Sequence, residues 1–321
     1  MQIMARCTAH LAVRPVMSQP IHSQMTAREW GMLILLSILW GGSFLFQKIA
    51  VAELPPFTIV FIRVALAALT LHALRPLFGV ALPSLSIWGA FAVMGLLNNV
   101  IPFSFLVYGQ TQIGAGLASI LNATTPVFTV LVAHFLTQDE KLKSNKAFGV
   151  VLGFLGVVCL IGIEALGGLT LAVAGQVACI GAAISYAFSS VWARRFQGVP
   201  PYASAMGQLT MSSLMMIPIV LLVDQPWTLS WPSTSVVWSM ILLAIPATAF
   251  AYLLFFAIVK AAGATNIMLV TLLVPVSAVL LGAVVLGERL VLTDAIGMAL
   301  IGLSLLAIDG RLLRKVRLLK T

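Results

Sequence analysis

Gly114-Ala-Gly-Leu-Ala-Ser-Ile-Leu-Asn-Ala-Thr-Thr-Pro126 and Gly263-Ala-Thr-Asn-Ile-Met-Leu-Val-Thr-Leu-Leu-Val-Pro275 are two copies of one pattern. The Gly-to-Pro spacing is the same in both. Each is followed by an apolar run, then a Glu-base-Leu triplet, Glu140-Lys-Leu142 or Glu288-Arg-Leu290, then an apolar run around Gly149 or Gly297. The Pro-to-Glu spacing differs by one residue, so duplication is the economical explanation.

The duplicated unit is a membrane unit. With 61% hydrophobic and 8% charged residues and a mean hydropathy of +1.09, the 321-residue chain cannot surround a soluble core with a solvated surface. Apolar segments long enough to cross a hydrocarbon layer of about 30 Å fall at Trp30 to Lys48, Phe57 to Leu74, Ile87 to Val107, Gly114 to Leu136 and Ala147 to Ile163. A second set falls at Gly175 to Arg194, Ala203 to Val223, Val236 to Val259, Ala264 to Leu286 and Ala295 to Ile308. The expected fold is therefore an all-α integral membrane protein of ten transmembrane helices. The expected segments are a disordered tail over 1–28, a first repeat over 29–165, a second over 174–310 and a basic tail over 311–321. Met25-Thr-Ala-Arg-Glu-Trp30 reads as the natural beginning of the folded part, with residues 1–24 as an extension.

The repeat continues when the halves are aligned span by span. Trp40-Gly-Gly-Ser43 followed by Lys48 parallels Tyr186-Ala-Phe-Ser189 followed by Arg194. Pro55-Pro-Phe57 parallels Pro200-Pro-Tyr202, which sets Arg63 opposite Gln208, and Pro102-Phe103 aligns loosely with Ala251-Tyr252. Five spans per half is an odd number, so the second half enters from the opposite side. Inverted-topology repeats place a substrate site near the midplane, around a central cavity.

Charge orients the bundle. With a cytoplasmic N-terminus, Arg6, Arg14, Arg28, Arg75, Lys141, Lys143, Lys146, Arg194, Arg195, Lys260, Arg311, Arg314, Lys315, Arg317 and Lys320 lie inside, which is 15 of the 18 basic residues. Lys48 and Arg289 lie outside, and Arg63 lies within a span. Both termini are thus expected in the cytoplasm. The net charge of +9 is explained by topology, so the expected partners are the lipid bilayer and a small molecule, with no nucleic acid. Cys7, Cys159 and Cys179 form no redox or metal motif, and neither cofactor nor metal is expected.

The chain resembles drug/metabolite transporters of the EamA type, with two EamA domains. The resemblance rests on Leu39-Trp-Gly-Gly-Ser-Phe44, Phe61-Ile-Arg63 and Leu121-Asn-Ala-Thr-Thr-Pro126 leading to Asp139-Glu-Lys-Leu142. In the second half it rests on Leu273-Val-Pro275, Leu286-Gly-Glu-Arg-Leu290 and Gly297. It covers about Trp30 to Asp309, and it departs at Asp139-Glu140, where Gly-Glu or Leu-Glu is more usual. The resemblance implies an inner-membrane exporter of amino acids and other small metabolites, a ten-helix basket around a cavity.

The residues that could bind a substrate are few. Arg63 lies roughly 10 Å into its span, at about 1.5 Å per residue from Pro56, where an unpaired guanidinium costs several kcal/mol. It is either a counter-charge for a substrate carboxylate or a structural residue bonded to backbone carbonyls. Asn98, Asn99 and Asn122 in the first half, with Thr248, Tyr252 and Thr271 in the second, are mid-span polar groups, and each could be a binding residue or interhelical glue. Trp40 and Tyr186 are candidates for an amphipathic wall. Pro126 and Pro275 are expected helix breaks, each freeing a carbonyl one turn back, at Asn122 and at Thr271. All nine acidic residues (Glu29, Glu53, Asp139, Glu140, Glu164, Asp224, Glu288, Asp294 and Asp309) fall in loops, tails or span ends, so no carboxylate is offered at mid-membrane.

These features favour a secondary transporter working by alternating access, with one chain enough to enclose a cavity. A lipid or cell-envelope precursor flippase on the same fold is the near alternative and a channel a distant one. A membrane-embedded enzyme would need a carboxylate pair, metal cluster or activated nucleophile that the sequence does not offer.

Overall fold

The computed structural model describes residues 25–138, 142, 144–161 and 170–309. Residues 1–24 of the expected tail over 1–28, the expected basic tail over 311–321, and Asp139, Glu140 and Glu164 lie outside the described residues, whereas Ala27 and Arg28 of that first tail already belong to the first helix. Among the described residues ten apolar helices succeed one another: α1 (Ala27–Ala50), α2 (Pro56–Phe78), α3 (Leu85–Gln112), α4 (Ala115–Leu136) and α5 (Ser144–Ile161). The second five are α6 (Leu171–Phe196), α7 (Pro201–Asp224), α8 (Thr234–Ala262), α9 (Val270–Leu286) and α10 (Leu292–Asp309). Seven are long enough to cross a bilayer unaided, and α5, α9 and α10 are shorter apolar helices. The molecule is an all-α membrane protein built from two five-helix repeats.

Local chemistry explains where the helices begin. Thr26 and Glu29 form a reciprocal capping box at the start of α1, with Thr26 N donating to Glu29 Oε2 at 2.7 Å. Proline occupies the first turn of α2 and of α7, where its missing N–H costs nothing. Thr170 caps α6 and Ser233 caps α8 through their hydroxyls.

The repeats interlock, α1 packing on α9, α2 on α7, α3 on α6 and α5 on α10. Two apolar cores result: one joins α1, α4, α6 and α9, the other α2, α3, α7 and α8. Large apolar side chains such as Leu69, Phe135, Phe148, Val158, Leu222 and Val284 remain exposed, the surface expected against lipid. Glycine decides how closely two pairs approach. A Cβ on Gly149 would lie 2.9 Å from Ser304 O and one on Gly156 3.1 Å from Gly297 O, which binds α5 tightly to α10. Gly302, further along α10, has open space where its side chain would be.

Several helices are irregular, and one irregularity recurs in both repeats. A π-helical turn interrupts α3 at Leu96–Val100 and another interrupts α8 at Ile245–Phe250. α4 breaks at Ala123–Thr124, just before Pro126. The expected break at Pro275 is not there: α9 runs through that proline, and the interruption falls earlier, at Met268–Leu269, after the short helix Ala264–Ile267. A proline removes one hydrogen bond but does not oblige a membrane helix to end when its neighbours hold it.

Candidate functional site

Each of these two π-helical turns aims polar side chains at a helix of the opposite repeat, and polar groups of both repeats converge between them. A π turn widens the helix by one residue, so it redirects side chains and loosens the backbone ladder. Asn98 and Asn99 project from the turn in α3, and Thr248 from the turn in α8. α3 approaches α7 closely because Gly95 has no side chain: a Cβ there would meet Gln208 O and Ser212 Oγ at 2.7 Å. Both asparagines therefore reach α7.

A continuous hydrogen-bond network follows. Asn98 Nδ2 donates to Gln208 Oε1 and to Tyr252 Oη, both at 2.9 Å. Tyr252 Oη donates to Asn99 Oδ1 at 2.9 Å, and Asn99 Nδ2 donates to Ser212 Oγ at 2.9 Å. Ser189 Oγ donates to Asn98 Oδ1 at 3.1 Å, which ties α6 into the cluster. Asn99, Gln208 and Ser212 are almost completely buried, as a satisfied network allows.

Arg63 stands beside it on α2, 4% exposed. Its Nε donates to Thr248 Oγ1 at 2.9 Å, and its guanidinium carbon lies 3.6 Å from the centre of the Phe103 ring. Thr248 passes its own proton back to Leu243 O at 2.7 Å. Among the described residues no oxygen accepts from Nη1 or Nη2, and no carboxylate pairs with the charge. Tyr186 and Tyr252 both lie near enough to interact with it electrostatically. Tyr186 borders both apolar cores, and its hydroxyl has no described partner.

The arrangement is symmetric in form and asymmetric in charge. Arg63 of α2 reaches the π turn of α8, and Gln208 of α7, its counterpart in the repeat, is reached from the π turn of α3. One cation is thus fixed near the membrane centre, with neutral groups opposite.

Of the residues picked from sequence, Arg63, Asn98, Asn99, Thr248 and Tyr252 come together with Tyr186 beside them. Trp40 packs instead on Phe255, ring centres 5.6 Å apart. Asn122 makes no hydrogen bond to the network, and its Oδ1 is buried without a partner. Thr271 lies elsewhere, bonding Met268 O and lining, with Ala123, Pro275, Met298 and Leu305, an apolar groove of about 210 Å³ between α4, α9 and α10. Gln208, Ser212 and Ser189 are site residues that the sequence candidates omit. Gln208 was identifiable as the repeat partner of Arg63 and Ser189 as that of Ser43; Ser212 carries no signal beyond helical spacing.

A second cluster escaped the sequence candidates altogether. At the end of the bundle carrying Glu53, Asp224 and Glu288, Lys48 Nζ donates to Gln110 O at 2.8 Å and Ile113 O at 2.9 Å, the carbonyls ending α3. The Glu288 carboxylate accepts from Ala115 N at 2.7 Å and Gly116 N at 3.0 Å, the first amides of α4. The available signal was a lack: Gly114-Ala-Gly116 begins a helix with no Ser, Thr, Asp or Asn to cap it, so its amides need an acceptor from elsewhere.

The helix bundle, its two five-helix repeats and a polar centre between them define a transporter type of membrane protein. Residues 29–162 and 173–308 match the EamA-like transporter family, and the chain belongs to it. It is 24% identical over 274 residues to the uncharacterized transporter YoaV of Bacillus subtilis, covering 84% of this chain and 92% of that one. It is 25% identical over 288 residues to a probable amino-acid metabolite efflux pump of Escherichia coli, covering 86% and 93%. A crystal structure of a protein 21% identical superposes with a TM-score of 0.64 over 88% of this chain and 97% of that one, a likeness of fold. The protein is a multi-pass membrane transporter of small molecules.

Proposed function

We propose that the protein exports small carboxylate-bearing metabolites, amino acids or related amphipathic compounds, by alternating access between its two repeats. The observation that carries this reading is Arg63, a cation 4% exposed at the repeat interface with two terminal nitrogens free of protein acceptors. A buried guanidinium is costly unless something completes its bonding, and a substrate carboxylate matches its fork geometry. The partner network of Asn98, Tyr252 and Gln208 draws on both repeats, so rocking one against the other would remake the site. The direction of transport rests on family likeness and on the relative named as an efflux pump. One chain encloses the site, so a monomer suffices.

Both termini face the cytoplasm, supported by the placement of 15 of 18 basic residues on that side. The end bearing Lys48 and Glu288 is then periplasmic. A fluorescent protein fused after Thr321 is expected to fluoresce and alkaline phosphatase there to be inactive; the reverse pair would invert the topology.

The functional test is counterflow in proteoliposomes with a panel of labelled amino acids and their carboxylate relatives. The wild type is expected to exceed empty liposomes for at least one compound. Arg63→Gln, which borrows the side chain at the repeat-equivalent position, is expected to lose about tenfold or more of that signal while eluting and melting as before. Wild-type transport by Arg63→Gln would remove the residue from the site.

A further inference from the structure

We infer that the transport site prefers a monoanion, a carboxylate on an apolar or aromatic body without an α-ammonium group, over the zwitterion of the same size. The inference rests on the site proposed above and specifies its ligand.

The first argument is an inventory of hydrogen-bonding capacity. The amide and hydroxyl oxygens of the network are met by donors already present: Gln208 Oε1 and Tyr252 Oη by Asn98, Asn99 Oδ1 by Tyr252, and Thr248 Oγ1 by Arg63, while Ser189 Oγ, with one proton, lies within reach of both Asn98 Oδ1 and Tyr186 O. The charged capacity left over is donor capacity: Arg63 retains the N–H groups of Nη1 and Nη2, and the Tyr186 hydroxyl has no described partner. A cationic donor without a described acceptor is built to be completed by an anionic one.

The second argument is charge. The described carboxylates of Glu29, Glu53, Asp224, Glu288 and Asp294 all sit at helix ends or in connections between helices. None reaches the midplane. An ammonium carried in with a substrate would be desolvated beside a fixed cation, with no counter-charge to offset the loss of water. Aromatic faces attract cations, but the face of Phe103 is already covered by Arg63 itself. Asn122 Oδ1 is a buried acceptor without a partner, yet it carries no formal charge and lies outside the network. A monoanion makes the guanidinium's missing bonds and neutralises it, leaving no charge unpaired.

The third argument is the wall. Phe103 under Arg63 and Tyr252, stacked at 6.5 Å on Phe256, offer apolar surface beside the guanidinium for the rest of the molecule.

The experiment measures binding to the purified full chain in lipid nanodiscs at neutral pH by calorimetry, with probe pairs differing only in the amino group. The pairs are 4-methylpentanoate with leucine, and 3-phenylpropanoate with phenylalanine. Each deaminated acid is expected to bind at least about tenfold more tightly than its amino acid. Arg63→Gln is expected to erase that preference. Tyr186→Phe, which keeps the ring and its packing, is expected to weaken the acids several-fold with an unchanged melting temperature. Amino acids binding as tightly as the acids, or no binding by either pair, would overturn the inference. If amino acids win and their counterflow still depends on Arg63, the transport site stands and only the monoanion preference falls; if counterflow is indifferent to Arg63, both fall.

Discussion

The two ends of the bundle are joined by different chemistry. At the end assigned to the periplasm, three carboxylates each cross from one repeat to the other and accept from the amides that open a helix. Asp224 accepts from Thr58 N at 2.6 Å and Thr58 Oγ1 at 2.9 Å at the start of α2, and Glu288 accepts from the first two amides of α4. Glu53 accepts from Ser233 N at 2.6 Å at the start of α8. At the other end the described cross-repeat bonds are neutral or aromatic. Trp192 Nε1 donates to Ala90 O at 3.1 Å, His72 Nε2 lies 2.9 Å from Thr210 Oγ1, and Phe91 stacks on Phe196 at 5.2 Å. The start of α4 packs on α9 of the opposite repeat, whereas the short helix before α9 packs mainly on α8 of its own. A helix N-terminus carries about half a positive charge, so a carboxylate placed on it fastens the joint in one conformation and must be withdrawn in another. The polar centre at Arg63 lies between the two kinds of joint, so the alternating access proposed above would open one kind at a time.

The contrast can be broken most directly at Glu288. Glu288→Ala strips the acceptor from Ala115 N and Gly116 N, a loss of about 1–3 kcal/mol from a half-buried, charge-assisted pair of bonds. The melting temperature is expected to fall by several degrees. A cysteine at the fully buried Ala118, in a background lacking Cys7, Cys159 and Cys179, is expected to react several-fold faster with an impermeant thiol reagent added outside. Unchanged labelling would mean that apolar packing, and not the carboxylate, closes this end.

Lys48→Met is expected to act in the same direction with a smaller effect, because two carbonyl bonds at the end of α3 are lost but the Glu288 cap remains. Labelling of the Ala118 cysteine reads the difference. Trp192→Phe tests the opposite end: it keeps the ring and loses one neutral bond to Ala90 O, about 1 kcal/mol. Its expected signature is a slightly lower melting temperature with no change in labelling at Ala118.

The smallest effect belongs to Glu53, which is fully exposed. Its bonds to Ser233 hold its carboxyl below the ordinary value of 4.5. The folded pKa is depressed, so the stabilisation is present above about 4.5 and is lost as pH falls through the lower folded value. Glu53→Gln is expected to flatten that acid-side decline slightly while leaving the melting temperature at neutral pH nearly unchanged. Parallel decline in both proteins would show that the bond contributes nothing to stability.

Much of this was legible before any coordinates. Arg63 announced itself because charge in an apolar run is expensive, and Asn98, Asn99, Thr248 and Tyr252 because polar groups at mid-span need a reason. What was not legible is which of them meet. Asn122 and Thr271 occupy equivalent places in the repeat and share helical depth with the others, yet the breaks in α4 and before α9 fall at different points, and neither residue joins the network. The π-helical turns have no sequence signature of their own, although they aim Asn98, Asn99 and Thr248. Glu288 looked like a loop acid, since a cap supplied from more than a hundred residues away leaves no local pattern.

Sequence alone determined the class of the molecule: hydropathy demanded helices in a bilayer, duplication demanded two repeats, and an odd number of spans demanded that they be inverted. These are properties of composition and period, summed over many residues, and no single contact can overturn them. Tertiary structure alone decided the partners. Whether Arg63 would bond Thr248 or a ring of carbonyls, whether Gln208 would meet Asn98, and which carboxylate would seal which helix depend on angstrom-scale approach between helices distant in the chain. That approach is set by Gly95 against Ser212, by two π turns and by the packing of α3 on α7, all of which exist only once the repeats have closed on each other.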